Sequence, residues 1–296
     1  MIYPASPIKR ARATKAEMAD RRQALFNLIG DMKPMTVRQA FYQATVRDLV
    51  EKSEAGYAKI QTTLADMRRD GDIPYDWLVD NTRWQRKPRT FSSVEHALNE
   101  TARLYRKALW DDVNAYVEIW LEKDALAGVL LPITSQFDVP LMVARGYASL
   151  SFLHEAAEYI SEQPVPTYIY HLGDFDPSGV NAGEKIEQTL REMAPDAEIH
   201  FERIAVTPEQ ITALNLPTRP TKTSDTRSKG FGEISVELDA IAPDELRGLV
   251  RCVIEEHLPP EQFQVLKVAE ASERQIIGGL VSMAKRALNG DAGQAK

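Results

Sequence analysis

Residues 116–206 alternate between short apolar runs and longer amphipathic stretches, and this alternation constrains the fold more than any other feature. The strand-like runs cover residues 116–121, 140–144, 167–172 and 198–206, and the helical stretches between them cover 124–136, 149–162 and 179–193. Strands that are separated by helices run parallel, because the helix returns the chain to the starting edge of the sheet. The sequence therefore predicts an α/β fold, a four-stranded parallel sheet with helices on both faces.

Two carboxylates directly follow the third predicted strand. Residues 173–179 read Gly-Asp-Phe-Asp-Pro-Ser-Gly, so Asp174 and Asp176 lie two positions apart where a strand ends and a helix begins. Residues two apart on an extended chain project to the same side, and adjacent carboxylates repel each other unless a cation lies between them. Mg²⁺ prefers such oxygen ligands. The pair predicts a metal site, although Asp176 before Pro177 is also typical of a helix N-cap.

Glu122 follows the first predicted strand in the same way. Ligands of parallel sheets bind beyond the carboxyl ends of the strands, so we expect Glu122, Asp174 and Asp176 to meet in one crevice. A second acidic pair, Glu237 and Asp239, could approach the same place. For that pair a structural role between a strand and a helix is the favoured interpretation.

The charge of the chain is unevenly distributed. Residues 1–110 hold 20 Lys and Arg against 13 Asp and Glu, whereas the remainder holds 16 against 30. A basic region suits contact with phosphates and an acidic one suits cations, with chance as the alternative. Residues 217–232 predict a further basic, mobile loop. No apolar stretch reaches the length of a membrane span, no signal peptide opens the chain, and one cysteine excludes an internal disulfide. We expect a cytoplasmic protein without membrane association.

The basic N-terminal region shows three helical patterns. Capping boxes at Thr14–Glu17 and Thr36–Gln39 predict the starts of the first two, and Gly30 and Gly71 predict the ends of the first and third. Residues 72–80 are turn-rich and predict a small hairpin. Three helices and a hairpin are typical of a winged helix-turn-helix, with a plain three-helix module as the alternative. The third helix carries the cations that we expect to face DNA: Lys59, Arg68 and Arg69.

Three segments of the second region carry a family resemblance. They are residues 117–125 (Val-Glu-Ile-Trp-Leu-Glu-Lys-Asp-Ala), 145–147 (Arg-Gly-Tyr) and 173–179. Together they resemble the Toprim domain of the topoisomerase VI A subunit and its meiotic double-strand-break relatives. In that family a glutamate follows the first strand and Asp-x-Asp-Pro-x-Gly follows the third. The resemblance therefore implies an α/β Toprim domain that holds Mg²⁺ with three acids: Glu122, Asp174 and Asp176.

The same family carries an upstream winged-helix domain with a nucleophilic tyrosine in a motif close to Ser/Thr-x-Arg-x-x-Tyr-Tyr. Residues 36–42 read Thr-Val-Arg-Gln-Ala-Phe-Tyr, and Tyr42 matches the nucleophile. Helical geometry places Tyr42 roughly 140° from the apolar stripe of its helix and beside Arg38. This predicts an off-core phenol whose ionised form the guanidinium favours. A surface aromatic beside a solvated arginine is the alternative, and Tyr57 is expected to pack instead.

The resemblance implies cleavage of double-stranded DNA by transesterification. Tyr42 would attack a phosphate and stay joined to the 5′ end, while Glu122 acts as a metal ligand or general acid for the departing oxygen. Mg²⁺ at the aspartates would neutralise charge on the phosphate. The family also implies a homodimer in which the tyrosine of one subunit meets the acids of the other. Accordingly we divide the chain into a winged-helix DNA-binding domain, 1–110, and a Toprim domain with a C-terminal helical extension, 111–296.

Two other functions remain open. The chain has no Gly-x-x-x-x-Gly-Lys-Ser/Thr loop, so ATP-driven strand passage would need a separate ATPase subunit. Its compactness is similar to that of standalone A-subunit-like relatives and of plasmid-defence nucleases, in which a metal-activated water could replace Tyr42. A catalytically silent DNA-binding scaffold is the alternative from another class. The string from Asp174 to Ser178 also resembles the haloacid-dehalogenase phosphatase motif, but those enzymes want threonine at the fifth place and the motif early in the domain.

Overall fold

The computed structural model describes residues 14–79, 89–221 and 231–291 of the chain. Its centre is a four-stranded parallel sheet in the order β2-β1-β3-β4. The strands are β1 (Tyr116–Leu121), β2 (Leu141–Val143), β3 (Thr167–Leu172) and β4 (Ile199–Ala205). Leu121 of β1 pairs with Leu172 of β3, so these neighbouring strands end at the same level. The predicted parallel sheet is confirmed, and β1 and β3 have the predicted bounds.

Helices cover both faces of this sheet. They are α5 (Ala127–Gln136), α6 (Leu150–Ser161), α7 (Pro177–Met193), α8 (Pro208–Ala213) and α9 (Pro243–Glu255). Side chains alternate along β1, as expected for a strand covered on both sides. Ile119 and Leu121 belong to the core that includes α5 and α9, whereas Trp120 belongs to the core beneath α6 and α7. The protein therefore has an α/β arrangement.

Three helices precede the sheet: α1 (Lys15–Met32), α2 (Val37–Val46) and α3 (Glu54–Arg69). Both predicted capping boxes are present, at Thr14 and at Thr36. The predicted end of α1 at Gly30 is wrong, because the helix continues to Met32. A Cβ at Gly30 would lie 3.3 Å from the Trp77 ring. Gly30 therefore lets Trp77 pack on the helix. Gly71 follows α3 with a φ of +82°, a conformation that glycine adopts without strain.

The predicted hairpin at residues 72–80 is not seen in the described part, 72–79; Asp80 lies outside it. A 3₁₀ turn occupies Tyr75–Trp77, and a single parallel bridge joins Met35 to Leu78. Two backbone groups of the segment bond to Met35, which donates to the Trp77 carbonyl at 3.2 Å and accepts from the Val79 N–H at 3.0 Å. Because Trp77 and Val79 form backbone hydrogen bonds with Met35, just before α2, these groups are paired without a second hairpin strand.

The C-terminal region consists of α9 and the long α10 (Pro260–Asp291), which packs against α4 (Val94–Leu104). The short strands β5 (Arg219–Pro220) and β6 (Ile234–Ser235) pair antiparallel. Between them, residues 222–230 of the predicted basic loop lie outside the described residues. Among the helices of the described ranges, none combines the length and apolarity needed to cross a membrane.

Candidate active site at the carboxyl edge of the sheet

The predicted acids lie together at the carboxyl ends of β1 and β3. Glu122 Oε2 accepts a 2.8 Å hydrogen bond from the backbone N–H of Asp174. Gly173 and Gly179 make room for this carboxylate, since a Cβ on them would lie 2.7 Å and 2.9 Å from Oε2. Burial, followed by the charge of Asp174, raises the pKa of Glu122. Glu122 therefore takes up a proton more easily than an exposed glutamate does, next to residues 173–176, which we call the aspartate loop.

The Asp174 carboxylate is buried and already bonded to the protein. Its Oδ1 accepts a 2.8 Å hydrogen bond from the Leu238 N–H and lies 2.9 Å from Nζ of Lys123. Phe175 and Val236 exchange backbone hydrogen bonds of 2.8 Å and 2.9 Å. These bonds hold residues 237–239, which carry the second acidic pair, against the aspartate loop. Burial raises the pKa of Asp174, and Lys123 opposes that shift.

Asp176 caps α7 and reaches a cation with its second oxygen. Its Oδ1 accepts from the Gly179 N–H at 2.8 Å, so the N-cap that the sequence allowed is present. Its Oδ2 lies 3.0 Å from Nη2 of Arg219. Beneath the loop, Arg203 of β4 donates to the carbonyl oxygens of Gly173, at 2.8 Å, and of Asp174. The loop is therefore held at both its backbone and its side chains.

Lys123 lies among a second set of acids. Its Nζ is 2.7 Å from Asp239, 2.9 Å from Asp174 and 3.4 Å from Glu237. Burial alone would lower the pKa of Lys123, but Asp239, Asp174 and Glu237 together raise it. The ammonium therefore stays charged and neutralises these carboxylates from inside the protein. Glu237 also meets Arg219, at 3.1 Å.

We call the following residues the charge cluster: Arg38, Glu122, Lys123, Asp174, Asp176, Arg219, Glu237 and Asp239. Its donor chemistry suits Mg²⁺, because carboxylates meet there. Its geometry does not, because Asp174 and Asp176 already face Lys123 and Arg219. Within the residues that the structure describes, no group of three or more His, Cys, Asp or Glu side chains is placed to hold a metal ion. The arrangement thus does not fit the magnesium site that the family resemblance implies.

Helix α2 is docked on this edge of its own chain. Arg38 Nη1 lies 2.8 Å from Glu237 Oε2, and α2 contacts the 3₁₀ turn Leu238–Ala240. Tyr42 is buried, with 8% of its surface exposed, so the prediction of an off-core tyrosine is wrong. Residues 39–44 are all buried, because α2 is enclosed by neighbouring helices and by this turn rather than along a single stripe.

The Tyr42 phenol responds to the charge cluster. Burial, together with the carboxylate of Glu237, raises its pKa to about 12, and Lys123 and Arg38 only partly oppose the shift. Arg38 favours the phenolate, as expected, but burial and the carboxylate of Glu237, with which Arg38 is paired, outweigh its effect. The phenol is protonated at neutral pH, yet it shares one electrostatic environment with the acids.

A cleft of about 720 Å³ opens between the N-terminal helices and this edge of the sheet. Cations and acids both line it: Arg38, Arg68, Lys123, Arg145, Glu122 and Asp239. Tyr57, which the sequence predicted to pack, lines the cleft and contacts the Phe41 ring edge-on at 5.3 Å. Guanidinium groups bind phosphate oxygens with strong, directional hydrogen bonds. The cleft can therefore hold a phosphate beside the buried carboxyl group of Glu122.

The three cations predicted to face DNA from α3 do not form one surface. Arg68 lines the cleft, and its guanidinium lies 4.8 Å from the centre of the Tyr75 ring. Lys59 is nine positions before Arg68, so at about 100° per residue the two side chains lie on opposite sides of the helix. Lys59 lies 3.7 Å from Glu51, and Arg69 lies 3.3 Å from Asp66. Only Arg68 of the three joins the candidate site.

Sequence reasoning missed the cations that organise the site: Lys123, Arg203 and Arg219. Lys123 had a local signal, because it directly follows the acid at the end of β1. Arg203 and Arg219 had none, since nothing in their neighbourhood indicates that they meet the aspartate loop. Glu118, the other acid of β1, is accounted for by hydrogen bonds from Tyr116 at 2.8 Å and Trp120 at 2.7 Å.

In comparisons with known proteins, no family model matches the chain, and no curated protein matches its sequence significantly. The structure itself defines an α/β protein with an ion-paired acidic edge and an arginine-lined cleft.

Proposed function

We propose that this protein cleaves the phosphodiester backbone of double-stranded DNA, with a winged-helix region and a Toprim-like region as in the topoisomerase VI A subunit. One observation carries the proposal: Arg38, one turn before Tyr42 on α2, and Glu122, after β1, line the same cleft. These segments are distant in the chain and share the cleft with Arg68 and Arg145. A phosphate-binding rim next to a buried, protonatable carboxylate is what phosphoryl transfer requires.

The proposed reaction is a transesterification. A DNA phosphate binds to the guanidinium groups of Arg68 and Arg145. Arg38 breaks its ion pair with Glu237 and binds the same phosphate. The Tyr42 hydroxyl oxygen forms a bond to phosphorus and gives its proton to solvent, and the bond from phosphorus to the 3′ oxygen breaks. Glu122 gives its proton to that oxygen, a role that suits its raised pKa. The products are a 5′-phosphotyrosyl link and a free 3′ hydroxyl.

The resemblance implies that Mg²⁺ at Glu122, Asp174 and Asp176 supplies charge neutralisation, and a magnesium requirement stays a prediction. No step above uses the ion, because the described arrangement does not fit it. Strand passage would further need a separate ATPase subunit.

The test is incubation with supercoiled plasmid in Mg²⁺ or in EDTA, followed by denaturation and analysis of the DNA ends. We expect protein attached to 5′ ends, and loss of cleavage in Tyr42→Phe, which lacks the nucleophile, and in Glu122→Gln, which lacks the proton donor. Tyr159→Phe on α6 removes a hydroxyl away from the cleft and serves as the matched control. Cut DNA without attached protein, with full activity in Tyr42→Phe, would eliminate the tyrosine mechanism.

The burial of Tyr42 specifically favours a second candidate, a hydrolytic DNA nuclease of a mobile-element or plasmid-defence type. A phenol with a pKa of about 12 is a poor nucleophile at neutral pH, whereas water could attack the same phosphate. The ion pairs of Lys123 and Arg219 favour a third, the catalytically silent DNA-binding scaffold, because they give the clustered acids a structural role. That scaffold would bind DNA equally well in Asp174→Ala and cut under no condition.

A further inference from the structure

Helix α10 is apolar on two opposite faces. One face packs on the protein through Phe263 and Val281, which are buried, and through Leu266. The other face carries large apolar side chains that are each 60 to 70% exposed: Val265, Val268, Ile276, Leu280 and Met283. We call these five residues the apolar stripe. A helix that is apolar all round is normally buried all round, and a contiguous exposed patch of this kind marks a binding surface.

The apolar stripe is narrow and continuous. At about 100° per residue its members fall within roughly 60° of Val265 on either side, and it extends about 27 Å along the helix. Between the large side chains lie small residues: Ala269, Ser272 and Gly279. A Cβ built on Gly279 meets no atom within 4 Å, so the face is open there. Small residues between large ones let a second helix approach closely.

The order of side chains along the apolar stripe is nearly palindromic. Val265 and Met283 are equally distant from position 274, and so are Val268 and Leu280. The small residues Ala269 and Gly279 are centred on the same position. Two antiparallel copies related by a two-fold axis at position 274 therefore place Val265 opposite Met283, Val268 opposite Leu280 and Ala269 opposite Gly279, while Ile276 faces the small Ser272.

Charges at the ends of the stripe select the antiparallel direction. Glu261 and Arg286 are both exposed and lie on the same edge of the stripe, near its two ends. In an antiparallel pair, residues on the same edge of each helix meet, so Glu261 approaches Arg286 of the partner subunit. A parallel pair would instead leave Glu261 and Arg286 at opposite ends of the interface, where they cannot meet.

We propose that the apolar stripe of α10 binds a second copy of this chain, antiparallel, to form a two-fold symmetric dimer. Such an interface is self-complementary, which the palindromic order provides. A single helix pair lies near the lower limit of stable interfaces, about 1,200 Å² in total, so we expect a dissociation constant on the order of micromolar. The inference does not depend on the reaction that the protein performs.

Sedimentation equilibrium of the full chain over a concentration series tests the proposal. Ile276→Glu combined with Val268→Glu is expected to raise the dissociation constant roughly a hundredfold or more, because it buries charges at the centre of the interface. Both side chains are mostly exposed in one copy, so circular dichroism is expected to be unchanged. The matched control is Leu150→Glu on α6, a residue that is 69% exposed and far from the stripe in sequence.

Charge exchange and cross-linking test the direction. Glu261→Arg alone is expected to weaken the dimer, and adding Arg286→Glu to restore it. In a Cys252→Ser background, Val265→Cys mixed with Met283→Cys is expected to give a cross-linked dimer that neither variant forms alone. A Val265→Cys chain that cross-links to itself would overturn the antiparallel pairing. The proposal would be overturned if the protein is monomeric at every concentration, or if Ile276→Glu leaves the dissociation constant of the dimer unchanged. Either result would mean that the apolar stripe does not bind a second copy of the chain.

Discussion

Lys123 is the side chain on which the charge balance of the site depends. Lys123→Met keeps a long side chain but leaves Asp174 and Asp239 buried and facing each other without a cation. Removing one partner of a buried ion pair is costly, so we expect the free energy of unfolding to fall by about 3 kcal/mol at pH 7. The loss should be smaller at pH 5, because the freed carboxylates take up protons more easily.

Guanidinium denaturation at both pH values measures this effect, with the exposed Lys185→Met on α7 as the control for the same chemical change. A loss no larger than that of the control, or one that is equal at pH 5 and pH 7, would contradict the role given to Lys123.

His171 makes the fold sensitive to acid. Both ring nitrogens are buried without a hydrogen-bond partner. Burial, with a smaller effect from the nearby Arg203 charge, lowers the pKa of His171 to about 3. In the unfolded chain His171 binds a proton near pH 6.5, and in the folded protein it does so only near pH 3. Its contribution to the free energy of unfolding is therefore fully present above pH 6.5 and is lost as the pH falls toward 3.

We expect His171 to lower the free energy of unfolding by about 2 kcal/mol between pH 6.5 and pH 5. The measurement compares how the free energy of unfolding changes with pH in the unaltered protein and in His171→Leu. His154→Leu, at an exposed histidine paired with Glu158, is the control. Equal slopes for His171→Leu and the unaltered protein would disprove the assignment.

The acids of the site could be predicted at the residue scale because their positions follow from strand topology. Glu122 and Asp174 come directly after strands that neighbour each other, so their proximity needs only the register of the sheet. The ion pairs that Lys123 and Arg219 make with Glu237 could not be predicted, since they are set by where residues 237–239 return to the sheet. That return is a long-range packing event without a local sequence signal.

At the scale of elements, the start of α7 fixes the geometry of the site. A Cβ at Gly179 would lie 2.5 Å from the Asp174 carbonyl oxygen and 2.9 Å from Glu122 Oε2, and the first of these is backbone that cannot move cheaply. We expect Gly179→Ala to destabilise the protein by roughly 2 kcal/mol and to displace Glu122, so that any cleavage is lost as well.

Gly248→Ala on α9 is the matched control, because a Cβ there meets nothing within 4 Å. It is expected to stabilise the protein by about 1 kcal/mol through helix propensity alone. Thermal unfolding of both variants measures the contrast, and a Gly179→Ala protein as stable as Gly248→Ala would show that the loop has free space.

The elements differ in how far the sequence determines them. β1 and β3 are buried apolar runs with turn residues after them, and their bounds follow from those signals. The surroundings of α2 do not follow, because its second contact surface is the turn Leu238–Ala240, about 200 residues later in the chain. Tyr42 is buried on a helix that contacts this turn, so a stripe drawn from α2 alone wrongly leaves Tyr42 outside the core.

At the scale of the whole molecule, the N-terminal helices and the sheet are joined in one chain around the cleft. A single hydrophobic core includes residues of α1, α2 and α3 together with β1 and α9. The ion pair of Arg38 with Glu237 adds a polar link at the edge of that core. Tyr42 is therefore held beside the acids of its own chain, whereas the family resemblance implies a tyrosine that serves the partner subunit.

Mixing inactive variants distinguishes these two arrangements. If each chain builds its own site, Tyr42→Phe and Glu122→Gln proteins mixed in equal amounts remain inactive, because no chain holds both the nucleophile and the proton donor. If the tyrosine acts across a dimer, mixed dimers contain one complete site and nick one strand of a supercoiled plasmid. We expect no nicking, with subunit exchange verified by native mass spectrometry of a tagged copy. Nicked circles that appear only in the mixture would show that the tyrosine serves the other subunit and that α2 leaves the position described here when DNA binds.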